Sequence, residues 1–298
     1  MGKQVKRVLV TGAGGQLGSE LAATAPQVEV LTLGRDALDI VDGEAVLRRV
    51  AGLKPDLVIN AAAYTAVDRA ESERDQAFAI NADGPANLAR ACSETGARLF
   101  HVSTDFVFDG SVSRPYRPGD ATAPLGVYGA SKLAGEQAVQ AALPEALILR
   151  TGWVYSRFGG NFVKTMLRLM GERERLGVVA DQVGTPTWAA GLARALWAFA
   201  ERPALGGVYH WSDAGVCSWY DFAVAIAEEG LARGLLPRAV EVAPIPAADY
   251  PTPAQRPAYS VLDKSGSWRD LETSGTHWRV QLRHMLDGLA AEPEFNKE

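Results

Sequence analysis

The chain has 298 residues, 47% of them hydrophobic and 22% charged, with a formal net charge of −5. That balance supports a sizeable core and gives no bulk attraction to nucleic acid or an anionic membrane surface, so an anionic substrate must meet locally placed Arg or Lys. Cys92 and Cys217 lie too far apart for metal-ligand spacing and too few for a disulfide scaffold, and no apolar run is long enough for a signal peptide or a bilayer span, so a cytoplasmic chain is expected.

The first half alternates. A β-branched run at 7–10 ends in Thr11-Gly12, and helical character follows at 16–25. Strand patterns at 28–33, 56–60, 98–102 and 146–150 alternate with helix patterns at 44–50, 82–94 and 127–142, with Gly96 placed to stop the third helix. Alternation of this kind predicts an α/β fold with a doubly wound, parallel Rossmann sheet. After about residue 150 the rhythm changes. Helix patterns occupy 162–173 and 187–200, a strand reads at 207–210, and Ser218-x-x-Asp221 has the spacing of a capping box opening a helix to 229. The Pro- and Ala-rich stretch 237–257 reads as an ordered loop, and the last ten residues read as frayed. The expected division is a dinucleotide-binding domain over 1–150, with 178–210 returning to it, and a smaller, mostly C-terminal substrate-binding domain over 151–177 and 211–298.

Gly12, Gly15 and Gly18 follow the first strand and open the first helix. One glycine permits the tight turn, one lets the backbone approach a pyrophosphate, and one allows close helix–strand packing, while the helix N-terminus offers free N–H groups to phosphate. The second strand ends Leu33-Gly34-Arg35-Asp36. Arg35 favours a 2′-phosphate and hence NADPH, and the adjacent Asp36 leaves NADH possible.

Tyr128 and Lys132 are four apart and share one face of a predicted helix. Bringing a Tyr pKa from about 10 to about 7 takes about 4 kcal/mol, roughly what one ammonium at ~4 Å supplies at an effective dielectric near 20. Ser103-Thr104-Asp105 follows the fourth strand, where ligands of open parallel sheets bind, and a hydroxyl there can polarise a carbonyl as it gains charge. His101, His210, His277 and His284 have no metal-ligand spacing, and His101 reads as a packed neutral imidazole; no required metal is expected. Trp197, Trp211 and Trp219 read as core, and Asp68 and Glu71 as residues that cap or solvate a helix.

Together, Thr11-Gly-x-x-Gly-x-x-Gly18, Asn60-Ala-Ala-Ala, Ser103-Thr104-Asp105 and Tyr128-x-x-x-Lys132 resemble the extended short-chain dehydrogenase/reductases. More narrowly, Gly15-Gln-Leu-Gly18, Asn60-Ala-Ala-Ala-Tyr-Thr-Ala-Val-Asp-Arg-Ala-Glu71, Ser103-Thr-Asp-Phe-Val-Phe-Asp-Gly110, Arg150-Thr-Gly-Trp-Val-Tyr155, Asp181-Gln-Val-Gly-Thr-Pro-Thr187 and Ala254-Gln-Arg-Pro257 are similar to the dTDP-4-dehydrorhamnose reductase family, from the first strand to about residue 285. The resemblance implies NAD(P)H-dependent reduction of the C4 keto group of dTDP-4-dehydro-L-rhamnose, the last step of dTDP-rhamnose biosynthesis, by a monomer or weak homodimer. It implies that Gly12, Gly15, Gln16, Leu17 and Gly18 line the cofactor phosphates, that Asp39 and Ile40 sit by the adenine, and that Ala63, Tyr64 and Thr65 border the nicotinamide. Val102, Tyr128 and Lys132 complete the cofactor contacts. Thr104, Tyr128 and Lys132 form the catalytic triad, and Thr104, Asp105, Trp153 and Arg256 meet the sugar nucleotide, Arg256 at its diphosphate. Related 4,6-dehydratases read Thr-Asp-Glu where this chain has Thr104-Asp105-Phe106; without the second carboxylate, reduction is favoured over elimination. The alternatives are reduction of another nucleotide-linked keto-sugar, set by the C-terminal loops, and a non-catalytic regulatory subunit resembling that of methionine adenosyltransferase.

Overall fold

A computed structural model describes residues 5–292. In chain order the first half contains β1 (Arg7–Thr11), α1 (Gln16–Ala23), β2 (Glu29–Leu33), α2 (Gly43–Leu53), β3 (Leu57–Asn60), α3 (Val67–Ala70), α4 (Arg74–Phe78), a π turn (Ala79–Asp83), α5 (Gly84–Thr95), β4 (Arg98–Thr104), α6 (Val127–Ala142) and β5 (Leu147–Thr151). The second half adds β6 (Val154–Tyr155), α7 (Phe162–Glu172), β7 (Arg175–Val179), β8 (Val183–Gly184), β9 (Thr187–Trp188), α8 (Ala189–Ala200), β10 (Gly207–His210), β11 (Cys217–Ser218), α9 (Trp219–Ala232), β12 (Glu241–Ile245), α10 (Ser265–Asp270) and α11 (Trp278–Ala290).

The main sheet has the order β10-β5-β4-β3-β1-β2 and every pairing in it is parallel. This is the expected doubly wound sheet. Its central strands are buried on both faces because alternate side chains enter different cores. Val8 and Val10 pack with α1 and α8, whereas Leu9 and Val58 pack with residues of α2, α5 and α6. The register aligns Thr11 with Asn60 and Asn60 with His101, so three polar side chains lie abreast near the carboxyl edge. Thr11 Oγ1 donates to Asn60 Oδ1 at 2.7 Å, and Asn60 Nδ2 meets His101 Nδ1 at 3.0 Å. His101 is fully buried, and burial holds its pKa well below the ordinary value, aided by the charge of Lys132. It is the packed neutral imidazole anticipated from the sequence.

A second core gathers α7, α9 and α11 around β7 and β12, with Met166, Phe222, Ile226 and Leu286 among its buried residues. The capping box is present: Asp221 N–H donates to Ser218 Oγ at 3.1 Å, and Ser218 N–H to Asp221 Oδ2 at 2.9 Å, although the helix runs beyond 229 to Ala232.

Three expectations need correction. Residues 237–257 are not all loop, since β12 lies within them and pairs in parallel with β7. Pro244 is tolerated because a two-stranded sheet leaves each strand an unpaired side that needs no donor. The helix expected at 82–94 belongs to a longer run over 74–95 whose centre is the π turn. The frayed end begins later than expected, because α11 continues to Ala290; the remainder of that expectation falls on 293–298, outside the described residues.

Candidate functional site

The glycine turn is built on close backbone approach. Gly12 has φ 77°, and a Cβ there would lie 2.7 Å from the Ala61 carbonyl carbon and the Ala62 nitrogen. A Cβ on Gly18 would lie 2.2 Å from Gly12 O, so α1 sits directly against the turn. Gly15 N-caps α1 without a side-chain hydrogen bond, which leaves the first-turn N–H groups of Gln16 and Leu17 for an incoming anion. These features fit a dinucleotide. Gln16 also reaches across to the second lobe, where Asn161 Nδ2 donates to its Oε1 at 3.0 Å.

Arg35 follows β2 with its side chain 70% exposed, and its nearest charge is Asp39, 3.8 Å away. Asp39 Oδ1 accepts the Val41 N–H at 3.0 Å. Ile40 is buried with its side chain over Gly84, and Asn87 Nδ2 holds its carbonyl. Ala63, Tyr64 and Thr65 form the loop after β3. Asn81, on the π turn, pins that loop: its Oδ1 accepts the Tyr64 N–H at 2.8 Å, and its Nδ2 donates to Tyr64 O and to Ser131 Oγ, both at 3.0 Å. The Tyr64 hydroxyl is turned to Glu73, to which it donates at 2.6 Å.

Tyr128 lies in the first turn of α6 and Lys132 one turn further along. Lys132 is 2% exposed, and its Nζ donates to Val102 O at 2.7 Å. Burial draws the Lys132 pKa down to about 8, opposed by the Glu136 carboxylate. Thr104 donates to Asp105 Oδ1 at 3.1 Å, accepts the Phe106 N–H at 3.2 Å, and lies near enough to the Tyr128 phenol to favour its ionised form. The expectation that Lys132 brings this phenol to about 7 does not hold in the ligand-free chain. Desolvation pushes Tyr128 up to about 12, with Asp105 adding to the rise and Thr104 opposing it. The ammonium is engaged by a backbone carbonyl, and loss of water around the phenol sets the direction. A phenol held that high is protonated at neutral pH and is a donor, not a base.

Asp105 is buried at the end of β4, directly over Gly152, where a Cβ would lie 2.5 Å from its carboxyl carbon. Burial raises its pKa to about 6 against hydrogen bonds from Ser260 and Thr104. The Phe106 and Tyr128 rings pack at 74° to one another with centroids 5.5 Å apart, so the residue after Asp105 presents an apolar group to the phenol.

Trp153 follows β5 with φ 51°, a strained backbone for a bulky residue. Its indole stacks on Trp219 at 3.5 Å with planes 4° apart, and Gly184 leaves room beside it, since a Cβ there would lie 2.6 Å from Trp153 Cε2. Trp219 is therefore not simply core, in contrast to Trp197 and Trp211, which are buried. It lines a cavity of about 580 Å³ together with Phe162, Met166, Tyr250, Asp68 and Arg256. Arg256 makes a two-point contact with Asp68, at 3.0 Å and 2.9 Å, and Ala254 N–H donates to the same carboxylate. Asp68 thus ties the loop of Arg256 to α3, instead of capping or solvating a helix as expected, and the guanidinium holds its pKa below the usual carboxylate range. Glu71 does cap a helix: its Oε1 accepts the Val127 N–H, at the start of α6, at 2.8 Å.

Sequence reasoning missed Asn81, Ser260 and a buried pair beneath the site. Glu136 accepts from Arg150 Nε at 2.9 Å and Nη2 at 2.7 Å and from Ser103 Oγ. The available signal was a lone carboxylate four residues after Lys132, on the same face of an Ala-rich helix. Among the described residues no helix is long and apolar enough to cross a membrane, and no group of three or more His, Cys, Asp or Glu is placed to hold a metal ion.

Residues 6–291 match the family described as RmlD substrate binding domain. The chain is similar to the dTDP-4-dehydrorhamnose reductase of Mycobacterium tuberculosis, with 48% identity over 96% of this chain and 94% of that one. Its similarity to the enzyme of the same name from Aggregatibacter actinomycetemcomitans is 43%, over 94% and 98%. A solved dTDP-4-dehydrorhamnose reductase from Bacillus anthracis, in complex with NADP, superposes with a TM-score of 0.90 at 38% identity, covering 96% of this chain and 100% of that one.

Proposed function

We propose, because the chain belongs to the RmlD substrate binding domain family, that it reduces the C4 keto group of dTDP-4-dehydro-L-rhamnose to give dTDP-L-rhamnose, with NADPH as the preferred reductant. The observation that carries this reading is the meeting of Tyr128, Lys132 and Thr104 at the carboxyl edge of a parallel sheet whose first turn is built for a pyrophosphate. NADPH, when bound, supplies a hydride to the carbonyl carbon.

The chain's own residues do the rest. Tyr128 donates its proton to the carbonyl oxygen, and its high pKa keeps that proton in place until charge develops there. Thr104, whose hydroxyl donates to Asp105 Oδ1 at 3.1 Å in the ligand-free chain, turns that hydrogen to the same carbonyl oxygen. Lys132, steadied by Val102 O, supplies the positive charge that the forming phenolate needs and a donor for the nicotinamide ribose. Gly12, Gly15 and Gly18 admit the pyrophosphate to the α1 N-terminus with Gln16 and Leu17. Asp39 and Ile40 border the adenine, Ala63, Tyr64 and Thr65 border the nicotinamide, and the exposed Arg35 takes the 2′-phosphate. The cavity beside Trp153 and Trp219 receives the nucleotide part of the substrate, with Arg256 at the diphosphate and Asp105 at the sugar. The sheet and α8 form the dinucleotide domain, and the lobe of α7, α9 and α11 forms the substrate domain. The same reading places the enzyme in the cytoplasm as a monomer or weak homodimer.

The test is coupled turnover, with the 4-dehydrorhamnose nucleotide made in situ and NADPH absorbance followed. Tyr128→Phe should lower kcat by about 1,000-fold while the NADPH Kd stays within about twofold of wild type. Turnover near wild type in that variant would overturn the assignment.

A further inference from the structure

The helix that carries Tyr128 is fastened to β4 at two consecutive residues. Lys132 Nζ donates to Val102 O, and one turn along, Glu136 accepts from Ser103 Oγ. Glu136 is 2% exposed, and its remaining capacity is taken by the fork of Arg150. Arg150 stands beside Ser103 in the β4–β5 register, is itself buried, and is completed by a hydrogen bond to Pro118 O and by the face of Phe108. Glu136, Ser103 and Arg150 have no part in the chemistry described above, yet a buried ion pair is an expensive way merely to glue a helix to a sheet.

We propose that Glu136 is a positioning residue for the carbonyl reduction, and that the Ser103–Glu136–Arg150 cluster sets the place and charge of the Lys132 ammonium. The proposal rests on Tyr128 and Lys132 acting as described above. Residues i and i+4 of one helix face are neighbours, so the Glu136 carboxylate lies close below Lys132. It is the charge that opposes the burial of Lys132, while Arg150 offsets part of the carboxylate's field. The other titratable groups facing Lys132 are His101, neutral and buried on β4, and Tyr128, one turn earlier on α6, which in turn feels the Asp105 carboxyl. The cluster therefore holds Lys132 in a balance that either partner can tilt.

The two partners tilt it in opposite directions, which separates this role from simple stability. Glu136→Gln keeps an oxygen for Ser103 and Arg150 but removes the charge. The Lys132 titration, followed by ¹³Cε NMR in the cofactor-free protein, should move about one unit toward acid. The alkaline limb of kcat should move with it, leaving kcat at pH 8 about fivefold below wild type. Arg150→Gln should move both toward alkali, although it also destabilises the fold. Shifts of opposite sign support the proposal. Unmoved titrations, or shifts of the same sign in both variants, overturn it, whatever happens to melting temperature. If Glu136→Gln does not fold, the alkaline shift in Arg150→Gln carries the test alone, and its absence sinks the proposal. Failure of the underlying reading looks different: there, wild type does not reduce the sugar nucleotide or Tyr128→Phe remains active.

Discussion

The cofactor edge and the substrate edge of the cleft are built by opposite means. At the cofactor edge the work is done by backbone: Gly12 and Gly18 let a turn, a strand end and a helix N-terminus approach to distances no side chain would permit. At the substrate edge it is done by side chains brought from far apart. Asp68 and Arg256 are separated by 188 positions, and Trp153 is held between Trp219 and the bare face of Gly184. An edge made of backbone tolerates no added atom, whereas an edge made of side-chain pairs can lose a member and degrade gradually.

That contrast can be broken at graded cost. Gly18→Val, which places side-chain atoms inside the Gly12 carbonyl, should abolish NADPH binding and lower kcat/KM by more than about 100-fold; retained cofactor affinity by fluorescence titration would mean that the turn can relax. Trp219→Ala should act on the other edge alone, raising KM for the sugar nucleotide about tenfold while the NADPH Kd is unchanged, because it removes the stacking that holds Trp153. A change in cofactor affinity there would show the edges to be coupled. Glu71→Ala should be mildest, costing about 1 kcal/mol in urea unfolding through the lost cap on α6, with Glu71→Gln recovering most of it.

The same contrast explains what could be read from the sequence. The glycine turn, the alternating strands and the Ser218–Asp221 box were legible because each is defined by spacing within a few residues. The Asp68–Arg256 tie and the Trp153–Trp219 stack were not, because nothing local distinguishes a paired Asp or Trp from a solvated or packed one. The Tyr128 expectation failed for a third reason. It weighed one ammonium against a phenol in a fixed dielectric, while the protein buries the ammonium, directs it to Val102 and strips water from around the half-buried phenol. The strand at 241–245 was hidden by Pro244, whose presence argues against a central strand but is silent about an outer one.

The π turn at 79–83 carries a consequence for how this rod of chain can change. One surplus residue rotates everything after it by about 100° relative to an uninterrupted helix. The rod can thus aim Asn81 at the Tyr64 loop and Ser131 while its later turns, through Asn87, grasp the chain at Ile40 and Val41. Along this stretch length matters as much as residue type: dropping a single residue would swing one of the two grips, Asn81 or Asn87, out of phase with its partner.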